Sequence, residues 1–386
     1  MRKLAIVTSH PIQYNAPWFK LLADSNSVRI KVFYTWEQSK LDVKYDPGFG
    51  KEIKWDIPLL EGYDHVFVKN IAKDPGTHHF NGMINPTLNA EISAWGPDAI
   101  LVFGWSFRSH LSCLRYFHKR VPILFRGDST LLNEQPGAKK WLRRLFLKWV
   151  YTHVDFALFV GTHNKEYFLR HGLKEEQLIF VPHAIDNQRF GEPAADLDRQ
   201  SALWRQELGY SPDDLVVLFA AKLEPVKIPF FILDLASAIK DQRIKFLFVG
   251  NGILEQELKT AAAGDPRIRF LDFQNQKAMP LVYRLGDIFI LPSKSETWGL
   301  AVNEAMACNR PVIVSEKVGC AIDLVKEGQT GFVFSPGGTD RCAAVLAPLP
   351  DERQRLAGMG LSSGRLISSW SFEHIVTAIG SLMVKL

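Results

Sequence analysis

The chain has 386 residues, 47% hydrophobic and 23% charged, with a formal net charge of +5. That length is too great for one ordinary core and fits two domains of roughly 100–200 residues each, and the composition excludes extended disorder. Four scattered cysteines (Cys113, Cys308, Cys320 and Cys342), none in a CxxC pair, indicate neither a zinc site nor a disulfide framework, so a reducing cytoplasm is the simplest setting.

The start, Met1 to Ser9, has only a short apolar run and reads as a first strand, Leu4 to Thr8, not as a secretory leader. No window approaches the roughly 18 consecutive apolar residues of a membrane span. His10, in Ser9-His-Pro-Ile-Gln-Tyr14, follows this strand, where ligands of parallel sheets bind, and is a candidate for acceptor or sugar contact or a structural turn histidine. Further β-branched and aromatic runs predict strands over Arg29–Thr35, Ala99–Phe103, Ile123–Arg126, Phe156–Val160 and Leu178–Val181, with a polar loop from Gln38 to Asp56.

Between Arg115 and Lys148 stand nine Lys/Arg against Asp128 and Glu134. Within that segment, 138–150 has the basic, Trp-flanked, leucine-rich character of a helix lying on an anionic membrane, against the reading of a packed helix with a solvated basic face. Nucleic acid is not the expected partner.

Residues 189–214 mix Gly, Pro and Asp with one helical piece and read as a linker. Strands then resume at Val216–Ala220, Lys245–Val249, Ile268–Leu271, Ile288–Leu291, Val312–Val314 and Phe332–Phe334, alternating with helical patterns. Such alternation predicts an α/β chain of two doubly wound parallel sheets, Rossmann-like, facing each other across a cleft.

Three segments carry chemistry. In Asp287 to Val314 a strand ends at Pro292, a polar turn follows, and a helix starts near Trp298 or Gly299. That geometry aims free backbone N–H groups and the positive helix end at a diphosphate, with Thr297, Trp298, Gly299 and Leu300 at the contact. Glu296 in the turn suits a sugar hydroxyl, and Glu304 in the helix suits a ribose diol. Both carboxylates also fit plain helix capping. Lys222 and Lys227, after Val216–Ala220, can neutralise a departing diphosphate, or are ordinary surface lysines. Gly250 and Gly252, in Val249-Gly-Asn-Gly252, form a strand-to-helix turn without a full dinucleotide fingerprint.

Taken in this order, the segments resemble the family 4 retaining glycosyltransferases of the GT-B fold, also called glycosyl transferases group 1. That family has a Gly-Arg-Leu turn followed by Lys, a Val-Gly-x-Gly turn, Glu-x7-Glu and Gly-x-Pro-Val. This chain has Ala221-Lys222-Leu223 with Lys227, Val249 to Gly252, Glu296 with Glu304, and Asn309 to Val312, and Val325 to Val333 looks like the closing strand. The resemblance implies that Lys222 and Lys227 bind phosphate, that Glu304 binds ribose and that Glu296 lies near the donor sugar. Lys in place of Arg at 222 keeps the charge but loses bidentate geometry.

Many members carry a His after the strand that corresponds to Ile123–Arg126. Here the chain reads Phe125-Arg-Gly-Asp-Ser129, so Asp128 replaces it, as a catalytic carboxylate opposite Glu296 or as a helix N-cap. His183 occupies the family's Asn-Gly-Val-Asp position and is read as architectural. Asp196 and Asp198 have the form of a metal-binding Asp-x-Asp but fall in the linker, so no metal and no cofactor is expected.

The expected organisation is an acceptor-side domain at 1–188, the linker at 189–214, a nucleotide-sugar domain at 215–370, and a last helix at 371–386 packing back on the first domain. The expected activity is metal-independent transfer from a UDP- or GDP-linked sugar to a glycan or lipid-linked acceptor. A non-catalytic sugar-nucleotide-binding protein and a hydrolysing nucleotide-sugar epimerase are the rival readings.

Overall fold

The computed structural model describes residues 1–40, 44–46, 51–134, 137–192 and 194–386, with side chains left undescribed at 40, 44–46 and 51–53. It divides into two compact units. The first comprises Met1–Lys44, Ile57–His183 and Phe372–Leu386, and the second Tyr45–Asp56 and Ala184–Ser371.

In the first unit the strands are β1 (Arg2–Thr8), β2 (Val28–Tyr34), β5 (His65–Phe67), β6 (Ala99–Phe103), β7 (Ile123–Arg126), β8 (Phe156–Phe159) and β9 (Leu178–Phe180). The short β3 (Lys44–Asp46) and β4 (Lys51–Ile53), grouped from Tyr45 on with the second unit, pair with each other. The seven strands form a parallel sheet in the order β5-β2-β1-β6-β7-β8-β9. Leu4 to Val7 and Ala99 to Val102 are fully buried, which is why these strands read as unbroken apolar runs and not as alternating ones. The polar stretch from Gln38 to Asp56 was expected to be a loop; its residues 41–43 and 47–50 lie outside the described ones, and the rest includes a short helical turn at Glu37–Lys40 besides β3 and β4.

The second unit holds β10 (Leu215–Ala220), β11 (Ile244–Val249), β12 (Ile268–Leu271), β13 (Ile288–Leu291), β14 (Val312–Ser315) and β15 (Gly331–Phe334), all parallel, in the order β12-β11-β10-β13-β14-β15. Every residue of β10 and β13 is buried. Burying one such Val, Leu, Ile or Phe contributes about 1.5–3 kcal/mol, so this pair anchors the sheet. Chain order reverses between them, and the loops beyond their carboxyl ends are where such sheets bind ligands.

One segment differs from expectation. Residues 189–214 are not an open linker: Asn187–Gly191 and Ala194–Glu207 are helices of the second unit, the latter packed along Met279–Leu285. Arg205 fixes its end, donating to Asp287 Oδ2 at 3.1 Å and to the Asp214 carbonyl at 2.9 Å. The last helix, Phe372–Lys385, belongs to the first unit and packs against Ala16–Asp24.

Candidate active site

The turn after β10 is built by close backbone approach. Leu223 is buried, its N–H donates to the Asn251 carbonyl at 3.0 Å, and its own carbonyl accepts from Leu254 at 3.0 Å. A Cβ on Gly252 would lie 2.4 Å from the Leu223 carbonyl oxygen. One on Gly250, which sits at φ +132°, would lie 2.3 Å from that of Ala221. These glycines, expected to touch donor, thus face protein backbone. They let the 250–252 turn clasp the Ala221-Lys222-Leu223 turn.

The loop after the adjacent strand β13 is tied to the same turn. Lys294 N–H donates to the Val226 carbonyl at 3.0 Å, and the Lys227 ammonium forms an ion pair with Glu296 Oε1. The fully buried Ser293 hydroxyl donates to that same oxygen at 2.8 Å. Backbone bonds from Glu296 N–H to the Lys317 carbonyl, 3.1 Å, and from Gly319 N–H to the Glu296 carbonyl, 3.2 Å, pin the loop from its other side. Lys227 and Glu296, expected separately at phosphate and sugar, are therefore brought into direct contact.

Gly299, at φ +98°, turns the chain into the helix Leu300–Ala307. Thr297 is exposed ahead of it, Gly299 and Leu300 are half-buried, and Trp298 is buried. Trp298 Nε1 donates to Asn303 Oδ1 at 2.9 Å, and its ring lies 5.0 Å from that of Trp370. That contact makes Trp298 a wedge holding the helix start as much as a ligand surface. Glu304, one turn on, is 3% exposed, and its Oε2 accepts the Tyr283 hydroxyl at 2.7 Å. This bond fixes the orientation of the carboxyl group. Sequence reasoning missed Tyr283 and Ser293. Neither lies within the quoted motifs' fixed positions, and only the fold brings Tyr283, on Met279–Leu285, to Glu304.

In the first unit Asp128 follows β7 directly. Just before it, Arg126 is buried and donates to the Val181 and Pro182 carbonyls at 2.8 and 2.9 Å; burial pulls its guanidinium down to about 10. Asp128 Oδ2 lies 3.7 Å from His183 Nε2. Burial holds the His183 imidazole below its usual range, against the upward pull of Asp128. Asp128 is not a helix cap, because the next helix, Ala138–Tyr151, starts ten residues later with Gly137 at its N-cap. His183, read as architectural, is thus the partner of the candidate carboxylate. His10 is half-buried, with Nδ1 2.9 Å from Ser9 Oγ and its ring 5.3 Å from Trp36.

The Asp-x-Asp pair serves arginines. Asp198 Oδ1 accepts from the buried Arg284 at 3.1 Å, and Asp196 pairs with Arg199. Among the described residues, metal-ligand types converge at Asp74, His78 and His79 on a partly exposed loop, away in sequence from every candidate position. Among the described residues, no helix is long and apolar enough to cross a membrane.

Residues 200–357 match the family model described as glycosyl transferases group 1. The matched span lies within the second unit. All the candidate donor-side residues, Lys222 to Glu304, fall inside the matched span. Among relatives, D-inositol 3-phosphate glycosyltransferase of Rhodococcus jostii is 32% identical over 206 residues, 49% of this chain and 45% of that protein. The sulfoquinovosyl transferase SQD2 of Arabidopsis thaliana is 29% identical over 152 residues, 38% of this chain and 29% of that protein. The match thus spans less than half the length of these relatives. Over its whole length the chain superposes on Anabaena HepE, solved with UDP, at a TM-score of 0.73 and 18% identity, covering 100% of both. Sucrose-phosphate synthase of Thermosynechococcus elongatus gives 0.71 at 18% identity, covering 100% of this chain and 99% of that one. Such likeness establishes the GT-B fold, and the glycosyl transferases group 1 match falls in its second unit.

Proposed function

We propose that this glycosyltransferase moves a hexose from a UDP- or GDP-linked donor to a glycan or lipid-linked acceptor, with retention and without a metal, in surface-polysaccharide or lipid-linked glycan synthesis at the cytoplasmic face of a membrane. The observation that carries the proposal is the joining of two strand-end loops at the reversal point of the second sheet. There Lys227 pairs with Glu296, the helix Leu300–Ala307 starts four residues after Glu296, and Glu304 lies buried within that helix, bonded to Tyr283. The HepE protein solved with UDP has the same fold, which favours UDP among the bases.

In this reading Glu304 accepts the ribose diol, while Lys222, Lys227 and the helix start meet the diphosphate. Glu296 holds a hydroxyl of the sugar. The bond from the anomeric carbon to the phosphate oxygen breaks as the acceptor hydroxyl bonds to the same face, and the departing phosphate takes the acceptor proton. A protein base is then not needed. Asp128, steadied by His183, stabilises positive charge growing at the anomeric carbon. Incubating the purified protein with nucleotide sugars and an acceptor extract tests this: release of nucleoside diphosphate that depends on acceptor supports it. Tight donor binding without turnover would leave a binding protein, and free sugar or an epimerised nucleotide would leave the epimerase.

A further inference from the structure

The helix Ala138–Tyr151 has two apolar faces. One, made of Leu147, Val150 and Tyr151, is buried in the core of the first unit. At 3.6 residues per turn, Trp141, Leu142, Leu145, Phe146 and Trp149 project from the opposite side, over an arc of roughly 140°. They remain 63%, 61%, 47%, 38% and 41% exposed. Apolar side chains scattered singly over a surface need no explanation, whereas a continuous stripe of five marks a contact surface.

The surrounding charges decide what covers it. Lys148 stands at one edge of the stripe and Lys139 at the other, both exposed. From the helix Arg108–Phe117, Arg115 places its guanidinium 5.7 Å from the centre of the Trp149 ring. The exposed Tyr116 comes next, with Arg120 at 4.4 Å over its ring. Glu134, four residues before the helix, is already held by Lys140 at 2.6 Å and Arg144 at 2.7 Å. Tryptophan, leucine and phenylalanine at the centre with long cationic side chains at the rim suit the boundary between anionic headgroups and acyl chains.

We infer that the two helices form one docking platform for an anionic bilayer, in which Trp141, Leu142, Leu145 and Phe146 enter the headgroup boundary while Lys139, Lys148, Arg115 and Arg120 bind lipid phosphates. The inference rests on the membrane part of the proposed function and sharpens it. Lys140 and Arg144, basic by sequence, serve Glu134 and not lipid, and Arg115 joins from a different helix, with Arg120 from the turn after it.

Flotation of the whole protein with phosphatidylcholine vesicles, with and without phosphatidylglycerol, tests the platform. The parent should float with the anionic vesicles only. Arg115→Gln, like Lys139→Gln and Lys148→Gln, should weaken that binding about fivefold, and Leu142→Ser with Leu145→Ser should abolish it with no loss of thermal midpoint, because both positions are exposed. Lys140→Gln with Arg144→Gln should leave it within about twofold. If Arg115→Gln is without effect while Lys139→Gln and Lys148→Gln weaken binding, the two-helix platform is wrong and the membrane reading stands. If the parent ignores anionic vesicles, both fail, whereas donor binding by calorimetry still reports on the transferase. A parent that dimerises in solution and is split by the two Leu→Ser changes would show that a second copy covers the stripe, and would likewise overturn the inference.

Discussion

The ammonium of Lys227 rests on the carboxylate of Glu296, which also accepts the Ser293 hydroxyl at 2.8 Å. A lysine assigned to phosphate is therefore partnered before a donor arrives, and binding exchanges one anion for another. The exchange gives the effect of each substitution a sign. Glu296→Gln should bind bare nucleoside diphosphate as tightly as the parent or more tightly, yet turn over slowly. Lys227→Ala should bind it tenfold to a hundredfold more weakly, the loss of one charge-assisted hydrogen bond of about 1.5–3 kcal/mol. Calorimetry on the two variants checks the pair, and equal losses of affinity in both would contradict it.

A second prediction concerns the clasp between the 250–252 and 221–223 turns. Gly250→Ala meets the Ala221 carbonyl and a left-handed φ together. It should cost about 2–4 kcal/mol of stability. Gly209→Ala, at φ +77° with no atom within 4 Å of the added carbon, should cost only about 1–2 kcal/mol. Chemical denaturation of the two variants decides. Equal costs would mean that the clasp is looser than the backbone distances require.

For Asp128 the expected pattern is kinetic. Asp128→Asn keeps the shape beside His183 and should lower kcat by about ten to a thousandfold, with donor affinity nearly intact. Normal turnover would strike the residue from the active site and bring His10 forward for the same test.

His110 gives a pH prediction. It is fully buried, with Nδ1 donating to the Phe103 carbonyl at 2.8 Å and Nε2 accepting from the Thr35 hydroxyl at 2.9 Å. Burial lowers it to about 4. Between about pH 6.5 and pH 4 the unfolded chain takes up a proton that the folded chain refuses, so stability should fall with acidity across that window. Above it the residue has no pH effect, and the full loss is on the order of 3 kcal/mol. Stability curves for the parent and His110→Gln check this: the variant should be less stable at neutral pH and slope less steeply below it. Parallel slopes would show that His110 is not the titrating group.

Much of this arrangement was legible in the sequence, for a physical reason. Strands such as β10 and β13 are buried on both faces, so apolar runs mark them, and the motif spacing then places Lys222, Lys227 and Glu296 in the loops after strand ends and Glu304 in the helix that follows. What was not legible depends on long-range contact. His65–Phe67 is a three-residue edge strand with no apolar run of its own. The helix Ala194–Glu207 buries little beyond Ser201, so Gly191, Pro193 and its many charges made it read as a linker. The Tyr283–Glu304 and Asp128–His183 pairs join residues 21 and 55 positions apart, which no local pattern announces.

The central claim is that the second unit holds a nucleotide-diphosphate sugar with Glu304 on its ribose. The direct test is a calorimetric titration of UDP- and GDP-linked sugars, in chelator, into the parent and into Glu304→Gln, which keeps an oxygen for Tyr283 while removing the charge. The account predicts that a donor binds the parent without metal and binds the variant about tenfold or more weakly at an unchanged thermal midpoint. Binding that requires a divalent ion, equal affinity in the variant, or no binding of any such sugar by the parent would contradict it.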